Sequence, residues 1–366
     1  MEPVFRWYRP QVRIPPTAAI AAGNVVWQSA YGGPRNDRAH SVAVDVAPFA
    51  RQPGFVVAGS TVSMNEDLDA MLLKLRPDGT VEWAKTYGEA GDEEVYAVEA
   101  TSDQGYILAG SQETARRGRD TWVLRVDSGG AIVWQARYGG ADLDTGTSIH
   151  ETRNADGKAD GYIVAGASRS FDPNARLNAW LLRLNLDGTI AWQTRYVPGV
   201  DYAGNTAGEV RQLFDQNGKP DGYIGVGNLG TLETGHPSNL WFLRLDPAGS
   251  ILWQSQYGGY SPAGSPLHEL TQSVCQAADG GFVAAGYAHD LSLPSAPTDA
   301  VIVKVSEEGA LPQCDPVDKT DVSATATLAV PVATHAAATA FAATVTATSV
   351  VPLDIAAEPQ VTCSAE

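Results

Sequence analysis

Apolar and polar residues fall into four kinds of short run that return in a constant order. The first alternates, as in "HSVAVDV" and "EVYAVEAT". The second is "GFVVAG" at 54, "GYILAG" at 105, "GYIVAG" at 161, "GYIGVG" at 222 and "GFVAAG" at 281. The third is "DAMLLKL" at 69, "DTWVLRV" at 120, "NAWLLRL" at 178, "NLWFLRL" at 239 and "DAVIVKV" at 299. The fourth carries an aromatic pair: "VVWQSAYGG", "VEWAKTYGE", "IVWQARYGG", "IAWQTRYVPG" and "ILWQSQYGG". Each run is short, rich in β-branched and aromatic residues, and bounded by Gly, Asp, Asn or Pro, which predicts strands. We label them a, b, c and d. A tight turn ("PDG", "SGG", "LDG", "PAG" or "EEG") precedes each position where a d strand is due.

Side chains two apart on a strand share a face. Trp253, Ser255 and Tyr257 therefore point one way with Ile251, and Leu252, Gln254 and Gln256 the other. The same spacing pairs Trp27 with Tyr31, Trp83 with Tyr87, Trp134 with Tyr138, and Trp192 with Tyr196. One aromatic face per unit predicts packing against the next unit, because aromatic rings bury much area each. The tryptophans lie 56, 51, 58 and 61 residues apart, a period that signals an array of repeated modules. Four strands per period predict an all-β fold, a β-propeller of four-stranded blades. The chain opens on a d strand at Trp27, whereas the last a, b and c strands are followed by Gln313 where a tryptophan is due. The N-terminal strand is thus expected to complete the last blade, giving five blades with no free edge. A six-bladed ring, the alternative, would take three strands from the tail.

The recurring runs divide the chain into an N-terminal extension (1–23), the propeller (24–314) and an Ala/Thr/Val-rich C-terminal tail (315–366). Its tract from 322 to 351 contains no Asp, Glu, Lys or Arg, and alternation in "TATLAV" and "TVTATSVV" permits extended strands. It reads either as a linker or wrapping segment, or as an arm adding to a sheet edge of a neighbouring subunit. The 37 glycines and 22 prolines suit a chain of many turns. A net charge of -17 argues against a nucleic-acid partner, which requires an excess of Lys and Arg. No run of 18 apolar residues is present, so no membrane-spanning helix is expected. The N-terminus shows no clear signal-peptide core, so a signal peptide is either lacking or already removed. Of the three cysteines, Cys314 and Cys363 bracket the tail, as a disulfide or as two free thiols, and Cys275 stands apart.

The phrases "D-x-W-L-L-R-L", "W-Q-x-x-Y-G-G" and "G-Y-I-V-A-G" resemble the repeat of secreted bacterial and archaeal β-propeller proteins of largely unassigned function. The resemblance covers residues 24 to about 314. It implies a propeller in an extracytoplasmic setting and no particular reaction. The segment "LDPAGSILWQ" is also similar to quinoprotein propellers, but no set of cofactor ligands accompanies it.

Candidate chemistry lies where the repeats differ. The b–c loops are dissimilar, and four of the d–a loops are Gly-rich and variable, which places a binding face at that end of the blades. Arg116, Tyr202, His236 and Tyr260 are its candidate contacts. Two a–b loops, "RNADGKADGY" and "FDQNGKPDGY", set Asn154, Asp156 and Asp160, and Asp215, Asn217 and Asp221, around a glycine. That spacing resembles half of a calcium loop, and it equally suits a hairpin with Asp-Gly or Asn-Gly at its tip. The loop from Glu89 to Glu94 gathers acids as a glycosidase site would, or as a solvated face does. Lys74, Arg125, Arg183, Arg244 and Lys304 recur on every c strand and read as structural. His150 and Glu151 are the polar residues expected near the ring axis. No Ser, His or phosphate-binding motif of known catalysts occurs. The expectation is a non-catalytic, exported propeller, extracellular, cell-surface or periplasmic, acting as a structural or protein-interaction module. Its partners would be other protein subunits, with self-assembly through the tail as one route, and no cofactor except calcium is foreseen. The alternative is a carbohydrate-binding or carbohydrate-active propeller with its site at the channel mouth.

Overall fold

In a computed structural model the chain is all-β, a five-bladed β-propeller. Described are residues 27–310, apart from 28, 34, 46–52, 63–66, 90, 114–117, 173, 198–204, 231–237, 259–266 and 291–297, and the segments 323–326, 330–333 and 337–340. The first sheet comprises β1 (Asp37–Asp45), β2 (Gly54–Thr61), β3 (Asp69–Leu75) and β4 (Val81–Tyr87). The second has β5 (Glu93–Ala100), β6 (Tyr106–Glu113), β7 (Arg119–Val126) and β8 (Ile132–Gly139). The third has β9 (Asp144–Arg153), β10 (Ala159–Ser168), β11 (Asn178–Leu184) and β12 (Ile190–Val197). The fourth has β13 (Asn205–Phe214), β14 (Pro220–Leu229), β15 (Asn239–Leu245) and β16 (Ile251–Gly258). The fifth has three strands among the described residues, β17 (Leu267–Gln276), β18 (Phe282–Asp290) and β19 (Thr298–Val305). Two compact units make up the chain, one with the first sheet, β5, β6 and Val123–Gln135 of β7 and β8, the other with Ala115–Trp122 and Ala136–Ala340.

In the first four sheets strands b and c are largely buried on both faces, which is why they read as nearly unbroken apolar runs. Every residue of β3 and of β11 is buried. Alternation still directs the contacts. Tyr223, Trp241, Leu243 and Leu245 of the fourth sheet pack with Ile163, Ala165 and Leu181 of the third. Ile224, Val226, Leu240 and Phe242, on the other face, pack with Val274, Phe282, Ala284 and Val303 of the fifth. The first and fifth sheets break this pattern. Val42 is 64% and Ile302 73% exposed, although their counterparts in the sheets between are buried.

The aromatic pair of each d strand clamps the c–d turn of the following blade. The hydroxyls of Tyr31, Tyr87, Tyr138 and Tyr196 donate to the carbonyls of Gly79, Gly130, Gly188 and Gly249 at 2.6, 2.7, 2.5 and 2.7 Å. Tyr257 does the same to Gly309. The indole N–H groups of Trp27, Trp83 and Trp253 donate to Pro77, Ser128 and Glu307 of the same turns. The turn glycines have φ between 74 and 83°, a conformation that disfavours other residues. A Cβ on Gly249 would also lie 2.9 Å from the Trp192 ring. The Trp27 segment thus has the relation to the first sheet that a d strand has to the blade after it.

The described segments of the tail do not form a sixth sheet. Instead β20 (Ser323–Ala326), β21 (Val330–Ala333) and β22 (Ala337–Ala340) add one strand each, antiparallel, to the outer edges of β16, β12 and β8.

Candidate functional site

Each inner strand bulges once, at the same place. The a–b register skips one residue opposite the second glycine of the b strand: His40, Tyr96, Thr147, Gly208 and Gln272 are the extra residues. A Cβ on Gly59, Gly110, Gly166, Gly227 or Gly286 would sit 1.8–2.0 Å from an a-strand carbonyl oxygen. The glycine of "G-Y-I-V-A-G" is therefore the counterpart of the bulge, and the bulge re-aims the inner strand beyond it. The residue after the bulge then bonds to the next inner strand. Ser41 accepts from the Val98 N–H, Ser148 from Val210, and Glu209 from Val274.

At Glu209 this arrangement becomes a charged cluster. His150 Nε2 lies 3.4 Å and Arg211 Nη2 2.6 Å from Glu209 Oε1. Burial by itself would raise the Glu209 pKa. Bonds from His150, Ser273 and the Val274 N–H, with the Arg211 charge, bring it down to about 2. A carboxylate held so low stays ionised at neutral pH and is a poor proton donor or acceptor. His150, expected near the axis, is in this cluster; Glu209 and Arg211 are not marked by the sequence, because a lone Glu-x-Arg carries no signal without its neighbour strand.

A second set of acids sits where d strands turn into a strands. Asp37, Glu93 and Asp144 each accept a backbone N–H four residues earlier, from Gly33, Glu89 and Gly140. Glu93 and Asp144 also face a second carboxylate. A Cβ on Gly88 would lie 2.1 Å from Asp69 Oδ1 and 2.7 Å from Glu93 Oε2. One on Gly139 would lie 2.5 Å from Asp144 Oδ2 and 2.7 Å from Asp120 Oδ1. Burial, reinforced by the neighbouring Asp69, lifts Glu93 to about 7 even against the bonds from Gln112 and Glu89. Burial lifts Asp144 to about 6, with Asp120 adding to it and bonds from Ser168, Ser170 and Gly140 opposing. Such values suit a general acid, but both residues are 0% exposed. Of the acids in the Glu89–Glu94 segment, Glu93 is therefore closed off from solvent. Where Val197 replaces the glycine, the corresponding residues are Asn178 and Asn205, and Asn205 bonds to the Tyr196 carbonyl and the Ala179 N–H.

The recurring c-strand cations are ion-paired in all five blades. Lys74 meets Asp45 at 3.3 Å, Arg183 meets Asp160 and Arg244 meets Asp221 at 2.6 Å, Lys304 meets Asp279 at 2.5 Å, and Arg125 meets Asp103. Two of the six residues considered for calcium, Asp160 and Asp221, are thus engaged by arginines. Asn154 Oδ1 accepts from the N–H groups of Asp156 and Lys158, and Asp215 Oδ1 from those of Asn217 and Lys219. This is the geometry of a closed hairpin tip. Among the described residues no three His, Cys, Asp or Glu side chains are grouped to hold a metal. Arg116, Tyr202, His236, Tyr260, Cys314 and Cys363 lie outside the described residues. Cys275 is a free, exposed thiol. No helix among the described residues is long and apolar enough to cross a membrane.

No family model matches the chain, and no curated protein matches it. Among solved structures it is similar to the crystal structure of Sqt1 from Chaetomium thermophilum at 12% identity, over 77% of this chain and 74% of that one, with a TM-score of 0.33.

Proposed function

We propose that this protein is a non-catalytic β-propeller that serves as a protein-interaction module of an exported, extracellular or cell-surface assembly. One observation carries the reading: the polar groups that recur from blade to blade bond within the fold, as clamps, ion pairs and turn caps, and Glu93 and Asp144, whose pKa values burial raises most among the acids, are sealed from solvent. Recognition then falls to the loops that differ, with Arg116, Tyr202, His236 and Tyr260 as contacts. The resemblance of the repeat to secreted propellers and the acidic charge of -17 support the exported setting. Cross-linking followed by mass spectrometry in the native cells tests it. Recovery of a constant protein partner through the d–a and b–c loops is expected. A cytosolic location, or turnover of any glycan by the purified protein, would overturn it.

A second reading is favoured by one feature. The Glu209 cluster offers fixed charge and hydrogen-bonding groups on two inner strands, with the Arg211 side chain 46% exposed. That suits a polar, uncharged ligand such as a glycan. A glycan array would separate the two readings: binding abolished by Arg211→Ala and His150→Ala supports the glycan, and an array without binding supports the protein partner.

A further inference from the structure

The bulged residue of each inner strand holds its geometry from sheet to sheet and changes its chemistry. It lies opposite the second glycine of every b strand, yet the five residues are His40, Tyr96, Thr147, Gly208 and Gln272. All five are at least partly exposed. Bulges re-aim side chains and are common beside binding sites. Thr147 is turned into the fold, its hydroxyl donating to the carbonyls of Ala165 and Ala207 at 3.1 and 2.8 Å, and Gly208 has no side chain. The first two sheets place aromatic rings at this position instead.

The His40 and Tyr96 rings have centroids 5.5 Å apart and planes inclined at 68°, as two walls of one corner. The hydroxyl of Ser60, a buried residue, lies 3.4 Å from His40 Nε2 and positions the imidazole. The Tyr96 hydroxyl donates to Glu94 Oε2 at 2.5 Å, which sets a carboxylate beside the rings. His40 is exposed, and Tyr96 and Glu94 are half-buried, so the corner is reached from solvent. His40 and Tyr96 are each the fourth residue of their strand, close to the d–a loops.

Two aromatic walls and a carboxylate complement a cation: the ring faces attract it electrostatically and the carboxylate neutralises it. The chain carries 42 Asp and Glu against 25 Lys and Arg, and the resulting field draws a basic surface toward such a corner and repels an acidic one. An uncharged sugar gains nothing from that field. We propose that His40, Tyr96 and Glu94 form a docking site for a lysine side chain of a basic protein partner, with the ammonium against the two rings and on the Glu94 carboxylate. This rests on the reading of the protein as an interaction module and names the chemistry its partner presents.

The probe is Nα-acetyl-lysine methylamide, titrated into the full-length protein with isotope-labelled histidine and tyrosine rings and followed by NMR. Saturable shifts of the His40 and Tyr96 signals are expected. The Nε-acetylated form of the probe, which lacks the charge, should give none. Glu94→Gln and Tyr96→Leu should each weaken binding by about 2- to 5-fold, with the melting temperature of Glu94→Gln unchanged. Glu94→Gln keeps the shape of the side chain, so its effect reports the charge. Absence of shifts, equal binding of the two probes, unchanged affinity in Glu94→Gln, or the same shifts from methyl β-glucoside would overturn the proposal. A failure with this single amino acid leaves the protein-partner reading standing, because that reading is decided by cross-linking in the native cells.

Discussion

The tyrosine of each d strand acts through one atom. Its ring fills the interface, as the four-residue spacing from tryptophan predicts, but its hydroxyl satisfies a carbonyl in a turn about fifty residues away. Removing that hydroxyl leaves a buried carbonyl unpaired, at a cost of roughly 1–3 kcal/mol. Tyr196→Phe should therefore lower the unfolding free energy, measured by urea titration, by that amount. Gly249→Ala should cost more, since its φ is +83° and the Trp192 ring stands where the methyl would go. The repeated aromatics were legible in the sequence because both lie in one phrase. Their acceptor was not, because nothing in the phrase says which copy's turn it meets.

At the scale of the element, the inner-strand bulge and its glycine are one device. Gly166→Ala would drive a Cβ to 1.8 Å from the Thr145 carbonyl oxygen, and neither backbone can give way in a paired sheet. Circular dichroism should show loss of the folded form. Gly157→Ala, at a hairpin tip with open space around it, should cost only about 1–2 kcal/mol for its positive φ. The same hairpin bears on calcium. Asp160 and Asp221 are held by Arg183 and Arg244, so calcium should leave the melting temperature unchanged and release no heat in a calorimetric titration. Calcium-loop spacing and hairpin-tip spacing look alike in sequence, and the arginine that engages Asp160 or Asp221 comes from another strand.

For the whole molecule, buried acids set how stability varies with pH. Glu93 titrates near 7 in the folded protein against an ordinary 4.5, and Asp144 near 6 against 3.8. The folded state then binds more protons than the unfolded one between those values, so stability falls as pH rises through them. Glu209, lowered to about 2, works in the opposite sense and matters only below pH 4.5. The melting temperature should therefore be higher at pH 5 than at pH 7.5. Glu93→Gln with Asp144→Asn should flatten that slope; a slope kept by the double variant would instead belong to the general repulsion of an acidic chain.

The sequence by itself determined the strand order, the five repeats, and the residues that face the next blade, because strand alternation and turn residues are local properties. Tertiary structure decided the rest. Carboxylates 24 residues apart become one buried pair, and inner strands about sixty residues apart gather His150, Glu209 and Arg211. The tail's assignment to the propeller's own edges was likewise beyond local reading. A run of Ala, Thr and Val can extend anywhere, and only its register against the clamp tyrosines shows which edges it takes.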